Sequence, residues 1–170
     1  MNMDTSSKLR DCRCDVMPSP IGDLTIYVDS HGALRAIDFG DTTRKTRAPR
    51  DARACALVRK QLEEYFAGTR REFDLELRPL GTEFEQQVWH ALLRIPFGAT
   101  VSYGEIARGL GPDTSPRAVG SANGANPIPI IIPCHRVIGA DGSLTGYGGG
   151  LHIKARLLAH EDPQKSLALL

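Results

Sequence analysis

Residues 126–137 read Asn126-Pro127-Ile128-Pro129-Ile130-Ile131-Ile132-Pro133-Cys134-His135-Arg136-Val137. Prolines this close together exclude a helix, and β-branched isoleucines favour extended backbone, so we predict a short buried extended segment that ends at Cys134. The thiol of Cys134 lies beside an imidazole and a guanidinium, and no acid occurs within six positions on either side. We therefore expect the thiolate to be favoured and Cys134 to be a nucleophile.

A lone cysteine also fits a second interpretation. Free cysteine is among the most buried residue types and behaves as a small apolar side chain, so Cys134 taken by itself is better explained by packing. The neighbouring residues decide between the two interpretations.

Those neighbours resemble one family. Pro133-Cys134-His135-Arg136-Val137, preceded by Asn126-Pro127 and followed by Gly146-Tyr147-Gly148-Gly149-Gly150, is similar to the active-site sequence of the O6-alkylguanine-DNA alkyltransferases, also called methylated-DNA-protein-cysteine methyltransferases. The similarity runs from about Thr82 to Glu161 and is weaker at residues 19–22 and 65–68. It implies an α+β fold, in which a small ribonuclease-H-like domain precedes a helical, winged-helix-like domain that carries the active site.

The residue patterns themselves divide the chain in two. Alternating residues predict strands at 24–28 and 34–39, a helical stripe covers 51–66, and Phe73, Leu75 and Leu77 predict a further strand. We place the boundary at 78–81. This gives an amino-terminal scaffold domain, residues 1–80, and a DNA-binding and alkyl-transfer domain, residues 81–170.

The second half is predicted to be helical. Thr82 with Glu85, and Ser102 with Glu105, have the spacing of capping boxes, and Ser115 precedes Pro116 as a cap precedes a first helical residue. The second and third of these helices form a helix-turn-helix. On the final helix we expect Leu151, Leu157 and Leu158 to face inward and Lys154 and Arg156 to face outward.

The third helix consists largely of residues with small side chains. Its small residues permit either close packing against a neighbouring helix or close approach to a narrow groove, and composition alone leaves both open. The resemblance implies that this helix enters the DNA minor groove and that Arg117 fills the space of an extruded nucleotide. The DNA-binding residues implied are Arg117, Ala118, Gly120 and Ser121.

The resemblance also implies a mechanism. Cys134 attacks as a thiolate, His135 takes its proton, by way of a water, and Glu161 orients the imidazole. Tyr103 donates a hydrogen bond to the base, and Asn126 ties the helix-turn-helix to the cysteine segment. The substrate-binding residues implied are Pro129, Val137, Tyr147, Gly148 and Gly149. Each of these residues, considered singly, is more often structural.

The implied function is DNA repair by irreversible, stoichiometric transfer of the alkyl group from O6-alkylguanine, and from O4-alkylthymine, to Cys134. A thioether has no good leaving group, so the protein acts once and needs neither a cofactor nor a methyl donor. Two alternatives stay open. A Cys-His hydrolase would regenerate its thiol, and a non-catalytic module that binds alkylated DNA would lack the cysteine.

Composition sets further limits. With 41% hydrophobic residues, 24% charged residues and a net charge of +1, the chain resembles an ordinary soluble protein, and we expect a cytoplasmic monomer without a secretory signal in residues 1–11. Between residues 86 and 160, six cations oppose three acids, which permits contact with double-stranded DNA. A second basic cluster, residues 44–53, is typical of a solvated loop. Cys12 and Cys14 could begin a zinc site with His31, but no second cysteine pair follows, so we expect no metal.

Overall fold

The structure is a computed structural model that describes residues 9–162. The chain divides into two compact units, one up to Leu80 and the other from Gly81. Residues 1–8, which hold most of the stretch from which we expect no secretory signal, lie outside the described residues.

The first unit is built on an antiparallel sheet with strand order β1-β2-β3. Its β2 and β3 form the hairpin that the alternating pattern predicts, with Ile26 opposite Ile37 and a bulge between Tyr27 and Val28. All five residues of β2 are buried, as a central strand requires. The elements of this unit are β1 (Arg13–Met17), β2 (Leu24–Val28), β3 (Leu34–Phe39), α1 (Thr43–Thr46) and α2 (Ala56–Phe66).

Two expectations for this unit need correction. The segment 73–77 is not a strand, because it joins β3 only through an isolated bridge between Leu77 and Leu34. Phe73, Leu75 and Leu77 are half-buried and alternate with exposed residues, but the segment does not form a continuous ladder of backbone hydrogen bonds with β3. The helix predicted from residue 51 begins at Ala56, and Asp51 instead accepts a hydrogen bond from the amide of Ala54 in the turn before it.

The second unit contains the predicted helices with the predicted caps. Thr82 and Ser102 each form a complete capping box, and the Ser115 side chain accepts from the amide of Ala118 with Pro116 as the first helical residue. The elements are α3 (Glu83–Leu92), β4 (Val101–Ser102), α4 (Tyr103–Leu110), α5 (Pro116–Gly124), a 3-10 helix (Cys134–Arg136), β5 (Val137–Ile138) and α6 (Leu151–Glu161).

Two features hold these helices around the cysteine segment. Trp89, 1% exposed, donates from its indole nitrogen to the carbonyl of Ala122 at 2.8 Å and so joins α3 to α5. Strand β4 pairs in parallel with β5, with Val101 opposite Val137. Because β4 runs directly into α4 and β5 directly follows the 3-10 helix, this pairing places the start of α4 beside the strand that follows the cysteine.

The cysteine segment is buried, as predicted, but it is not extended. The amide of Ile132 donates to the carbonyl of Ile128 at 2.9 Å, which closes a tight turn, and residues 134–136 form the 3-10 helix. At the centre of the turn, Ile130 adopts a left-handed φ of 76°. A β-branched residue in that region costs roughly 1–3 kcal/mol. The buried side chains of Ile128, Ile130 and Ile132 supply the packing that offsets this cost.

Helix α6 also differs from expectation. Leu157 and Leu158 face inward as predicted, but Leu151 is 46% exposed and Lys154 is fully buried. Lys154 lies three and seven residues before Leu157 and Glu161, so all three share one helical face. Among residues 9–162, no helix is long and apolar enough to cross a membrane.

Candidate active site

Two asparagine side chains, one in α5 and one just after it, hold the backbone of the cysteine segment. The Asn123 side chain donates to the carbonyl of Cys134 at 3.4 Å, and the Asn126 side chain donates to the carbonyl of Ile132 at 2.8 Å. Asn126 also accepts from the amide of Ile128 at 3.0 Å. One amide side chain therefore satisfies both ends of the turn, and Asn126 lies where the link between the helix-turn-helix and the cysteine segment is expected.

The Cys134 thiol is buried, with only 4% of the residue exposed. Burial raises the pKa of Cys134, although hydrogen bonds from Asn126 and Tyr147 and the charge of Lys154 act in the opposite direction. The expectation that the resting thiolate is favoured is therefore wrong, because desolvation outweighs the neighbouring cations. A protonated thiol needs a base before it can attack.

His135 and Glu161 form the next part of the site. His135 is fully buried, and its Nε2 lies 2.8 Å from Oε1 of Glu161. The carboxylate also accepts from Arg136, from Nε to Oε2 at 2.8 Å and from an η nitrogen to Oε1 at 2.9 Å. Burial raises the pKa of Glu161, but the hydrogen bonds from His135 and Arg136 outweigh it and leave that pKa far below its usual range.

These contacts fix the tautomer of His135. An ionised carboxylate can only accept, so the proton of a neutral imidazole must lie on Nε2, and Nδ1 keeps its lone pair. Burial lowers the pKa of His135, which keeps the ring neutral. Within the described residues, the buried Nδ1 has no hydrogen-bond partner. His135 is thus placed as a neutral base with one unsatisfied acceptor.

Tyr103 is the first residue of α4, and its hydroxyl contacts Thr145, which lies just before the glycine-rich loop. The Thr145 hydroxyl donates to the phenolic oxygen at 2.9 Å, so the phenol is left to donate its own proton elsewhere. A Cβ at Gly120 would lie 3.8 Å from two carbons of this ring, so the smooth face of α5 lets Tyr103 pack against the helix. The contact supports close packing as one role of the small residues on α5, and their approach to a narrow groove stays a prediction.

Lys154 is a site residue that the sequence interpretation missed. Its Nζ donates to the carbonyls of Val137 at 2.6 Å and Thr145 at 2.9 Å, and lies 5.9 Å from the centre of the Tyr103 ring. Burial lowers its pKa to about 8, and the charge of Cys134 partly opposes that shift. Lys154 lies seven residues before Glu161, and residues seven apart share a helical face. Because Glu161 was expected to point into the site, this spacing could have predicted an inward Lys154.

The remaining predicted substrate residues differ in accessibility. Pro129 and Val137 are buried, Tyr147 and Gly149 are half-buried, and Gly148 is exposed. A Cβ at Gly148 would meet nothing within 4 Å. The loop therefore has open space at Gly148, while Pro129 and Val137 contribute to the packing behind it, and their role in substrate binding stays a prediction.

The predicted DNA-binding residues lie together near the amino-terminal end of α5. Arg117 and Ser121 are exposed, and Ala118 and Gly120 are half-buried. Two of the six cations counted between residues 86 and 160, Arg136 and Lys154, are buried. Of the cations that the structure describes in this unit, Arg94, Arg108, Arg117 and Arg156 are exposed, so the positive surface there is smaller than the sequence indicates.

The structure offers no grouping that would hold a metal. In the part of the chain that it describes, no cluster of three or more His, Cys, Asp or Glu side chains has suitable geometry. Cys12 and Cys14 are buried in the first unit with Leu9, Tyr27, Ala36 and Ala48.

The chain matches two protein-family descriptions. Residues 12–79 match the ribonuclease-like domain of 6-O-methylguanine DNA methyltransferase, and residues 83–163 match its DNA binding domain. The two matches follow the division of the structure into an amino-terminal sheet and a carboxy-terminal helical unit. The expected α+β architecture is thereby confirmed.

Relatives and solved structures agree with this match. The chain is 52% identical over 147 residues to a methylated-DNA--protein-cysteine methyltransferase of Mycobacterium bovis, which covers 84% of this chain and 88% of the relative. It is 47% identical over 150 residues to the protein of that name from Methanosarcina acetivorans, which covers 86% and 96%. A crystal structure of Mycobacterium tuberculosis OGT in complex with DNA shares 48% identity and a TM-score of 0.83, and covers 92% of this chain and 98% of that chain. The chain therefore belongs to the 6-O-methylguanine DNA methyltransferase family, as its resemblance implied.

Proposed function

We propose that the protein repairs alkylated DNA by moving the alkyl group from O6 of guanine, and from O4 of thymine, to the sulfur of Cys134. The observation that carries this proposal is a buried thiol at Cys134, followed in the chain by a neutral histidine that a carboxylate orients, in a segment whose strand β5 pairs with the strand that leads into Tyr103. The names of its relatives support the same reaction.

The chemistry is a displacement at saturated carbon. The sulfur of Cys134 bonds to the alkyl carbon, the carbon–O6 bond breaks, and its electron pair passes to the base. The proton of the thiol leaves to His135, and the phenol of Tyr103 donates to the base as negative charge accumulates there. The departing base takes a proton at a ring nitrogen from the Tyr103 phenol, and the proton held by His135 returns to the phenolate through water. The net products are an S-alkylcysteine and neutral guanine, so atoms and charge balance without a cofactor.

The proton path follows from the 3-10 helix. Consecutive side chains in such a helix diverge by about 120°, because one turn takes about three residues. Cys134 and His135 therefore do not face each other directly, and the proton is relayed through a water to the lone pair on Nδ1. The resemblance implies this water, and the divergence of the two side chains in the 3-10 helix supports the same route.

Recognition of DNA is assigned to α5. Its half-buried small residues and the exposed Arg117 form a narrow, smooth edge suited to the minor groove. A base must leave the stack to reach the buried Cys134, and an arginine side chain can occupy the space that it leaves. A structure of a relative in complex with DNA supports DNA as the partner, and we propose that this DNA is double-stranded and that the protein is a monomer in its absence.

A single-turnover experiment tests the proposal. Purified protein is mixed with a duplex that carries one O6-methylguanine, and intact mass and DNA composition are followed with time. We expect one methyl gained per protein and one unmodified guanine restored per methyl. Methyl release with regeneration of the thiol would support a Cys-His hydrolase, and binding without transfer would support a non-catalytic module; either result overturns the proposal.

A further inference from the structure

The side chain of Lys154 is wholly buried, and none of the ion pairs within residues 9–162 includes it. An ammonium group is almost never fully buried without partners, because desolvation costs several kcal/mol. The partners seen here are two neutral carbonyls, those of Val137 and Thr145. They satisfy two of its three N–H donors but leave its charge uncompensated. Among the described residues, the group whose charge acts on Lys154 is Cys134.

The contacts of Lys154 connect the parts of the site. Val137 follows the 3-10 helix that holds Cys134, and Thr145 leads into the glycine-rich loop. The same Thr145 donates from its hydroxyl to Tyr103, whose ring centre is 5.9 Å from Nζ. One ammonium group therefore reaches the nucleophile segment, the loop and the tyrosine at once.

We propose that Lys154 is a positioning residue with two effects on the transfer reaction: its buried charge stabilises the thiolate of Cys134, and its hydrogen bond to Thr145 holds the Tyr103 hydroxyl in place. This inference rests on the proposed function. The charge matters most when the thiol loses its proton, because the attraction between the ammonium and the new thiolate is strong where water is excluded.

The other groups around the thiol do not duplicate this effect. Arg136 and Glu161 neutralise each other, and His135 is neutral. Asn126 and Tyr147 contribute hydrogen bonds to the thiol and no net charge. The uncompensated full charge close to Cys134 is therefore that of Lys154. The groups that face this region are Tyr103 from α4, Asn126 from the end of α5, His135 and Arg136 from the 3-10 helix, Tyr147 from the loop, and Lys154 and Glu161 from α6.

The charge can be tested separately from the hydrogen bonds. Lys154→Gln keeps an N–H donor and removes the charge, whereas Lys154→Arg keeps both, and Lys60→Met removes an exposed lysine from α2 as a control. The rate at which iodoacetamide modifies Cys134 is measured from pH 6 to 11, with peptide mapping to separate the other three cysteines. Iodoacetamide needs no DNA, so this result does not depend on the proposed repair function.

We expect Lys154→Gln to raise the pH at which Cys134 becomes reactive by about one unit, which is about tenfold in rate at neutral pH. Lys154→Arg should restore most of the wild-type profile, and Lys60→Met should not change it. If Lys154→Gln and Lys154→Arg shift the profile equally, or neither shifts it, Lys154 acts only as a tether and its charge has no role.

The link to Tyr103 has its own variant. Thr145→Val removes the hydroxyl and keeps the carbonyl that accepts from Lys154. We expect slower transfer from methylated duplex, by about tenfold, with an unchanged iodoacetamide profile. An unchanged transfer rate would overturn the positioning of Tyr103 through Thr145. If wild-type protein transfers no methyl from duplex while the iodoacetamide profiles differ as expected, the proposed repair function fails and the effect of Lys154 on the thiol stands.

Discussion

Glu161 holds the buried imidazole of His135 through a 2.8 Å contact between Oε1 and Nε2, although 26 residues separate the two in the chain. The contact crosses from the last turn of α6 to the 3-10 helix. It determines which nitrogen of His135 can accept a proton. Because the contact links α6 to the residue next to Cys134, substitutions that disturb the last turn of α6 should change the reactivity of the thiol.

The charge of Glu161 should contribute strongly to stability. In Glu161→Gln, the guanidinium of Arg136 stays buried without a counter-charge, and breaking such a pair costs about 3–5 kcal/mol. The folded-state pKa of Glu161 is far below its value in the unfolded chain, so its contribution is present above about pH 4.5 and is lost as the pH falls below that. Urea denaturation at pH 7 and pH 3 should show a deficit for Glu161→Gln that shrinks with acid. A deficit of the same size at both pH values, or one matched by the exposed control Glu72→Gln, would contradict this account.

Cys134 should be the one residue that receives the alkyl group. Cys134→Ala should bind a methylated duplex and accept nothing, because the other three cysteines belong to the first unit and not to the unit that carries His135 and Glu161. Peptide mapping after a single turnover locates the added methyl. A methyl on Cys12, Cys14 or Cys55, or several turnovers per protein, would remove the mechanism.

Arg117 should matter for duplex DNA and not for the chemistry. Arg117→Ala removes the side chain assigned to the space of the extruded nucleotide, and unstacking a base costs a few kcal/mol. We expect repair of duplex to slow by at least tenfold, with little change in the reaction with free O6-benzylguanine. Exposed Arg108→Ala on α4 serves as the matched control. Equal losses on both substrates would show that Arg117 supports the fold or the reaction itself.

Gly148 should set the size of the adduct that the site accepts. Nothing lies within 4 Å of a Cβ built at this position, so the wall of the site is open there. The indole of Gly148→Trp should fill that space and slow transfer of benzyl more than transfer of methyl. The ratio of the two single-turnover rates is the measurement. An identical ratio in wild type and variant would mean that this loop does not line the alkyl pocket.

The pKa of Lys154 predicts a dependence of stability on alkaline pH. Burial lowers that pKa from 10.5 to about 8, so between these values the unfolded chain binds more protons than the folded one. Stability due to this group therefore rises with pH, by up to about 1.4 kcal/mol per unit. In a Cys134→Ala background, which removes the coupled thiol, the stability of the lysine protein relative to its Lys154→Gln variant should increase from pH 8 to pH 10.5. A difference that stays constant over that range would contradict the pKa.

The sequence predicted local features better than distant ones. Capping boxes at Thr82 and Ser102 were readable because the cap and its carboxylate are three residues apart, and both are confirmed. The turn at Ile130 was not, because β-branched residues normally favour extended backbone, and here burial of the neighbouring isoleucines overrides that preference.

The site shows the same division. The resemblance supplied Cys134, His135 and Glu161, and the structure brings the last two into contact. It did not supply the state of the thiol, since nearby cations in the sequence suggested a low pKa and burial gives a raised one. It also did not show the inward position of Lys154, because a lysine on a helix is usually solvated and only the three-dimensional packing reveals its two carbonyl partners.

The three thiols of the first unit have a consequence for how the protein reports damage. Cys14 and Cys55 are completely buried and Cys12 almost so, and burial raises the pKa of all three, that of Cys55 to about 12. Thiols kept protonated react slowly with alkylating compounds. Alkyl groups that arrive from the surroundings are therefore not recorded on these positions. His135 and Lys154 set Cys134 apart from these three thiols, so S-alkyl groups should collect at Cys134, and the mass of its peptide should report how many protein molecules have been consumed.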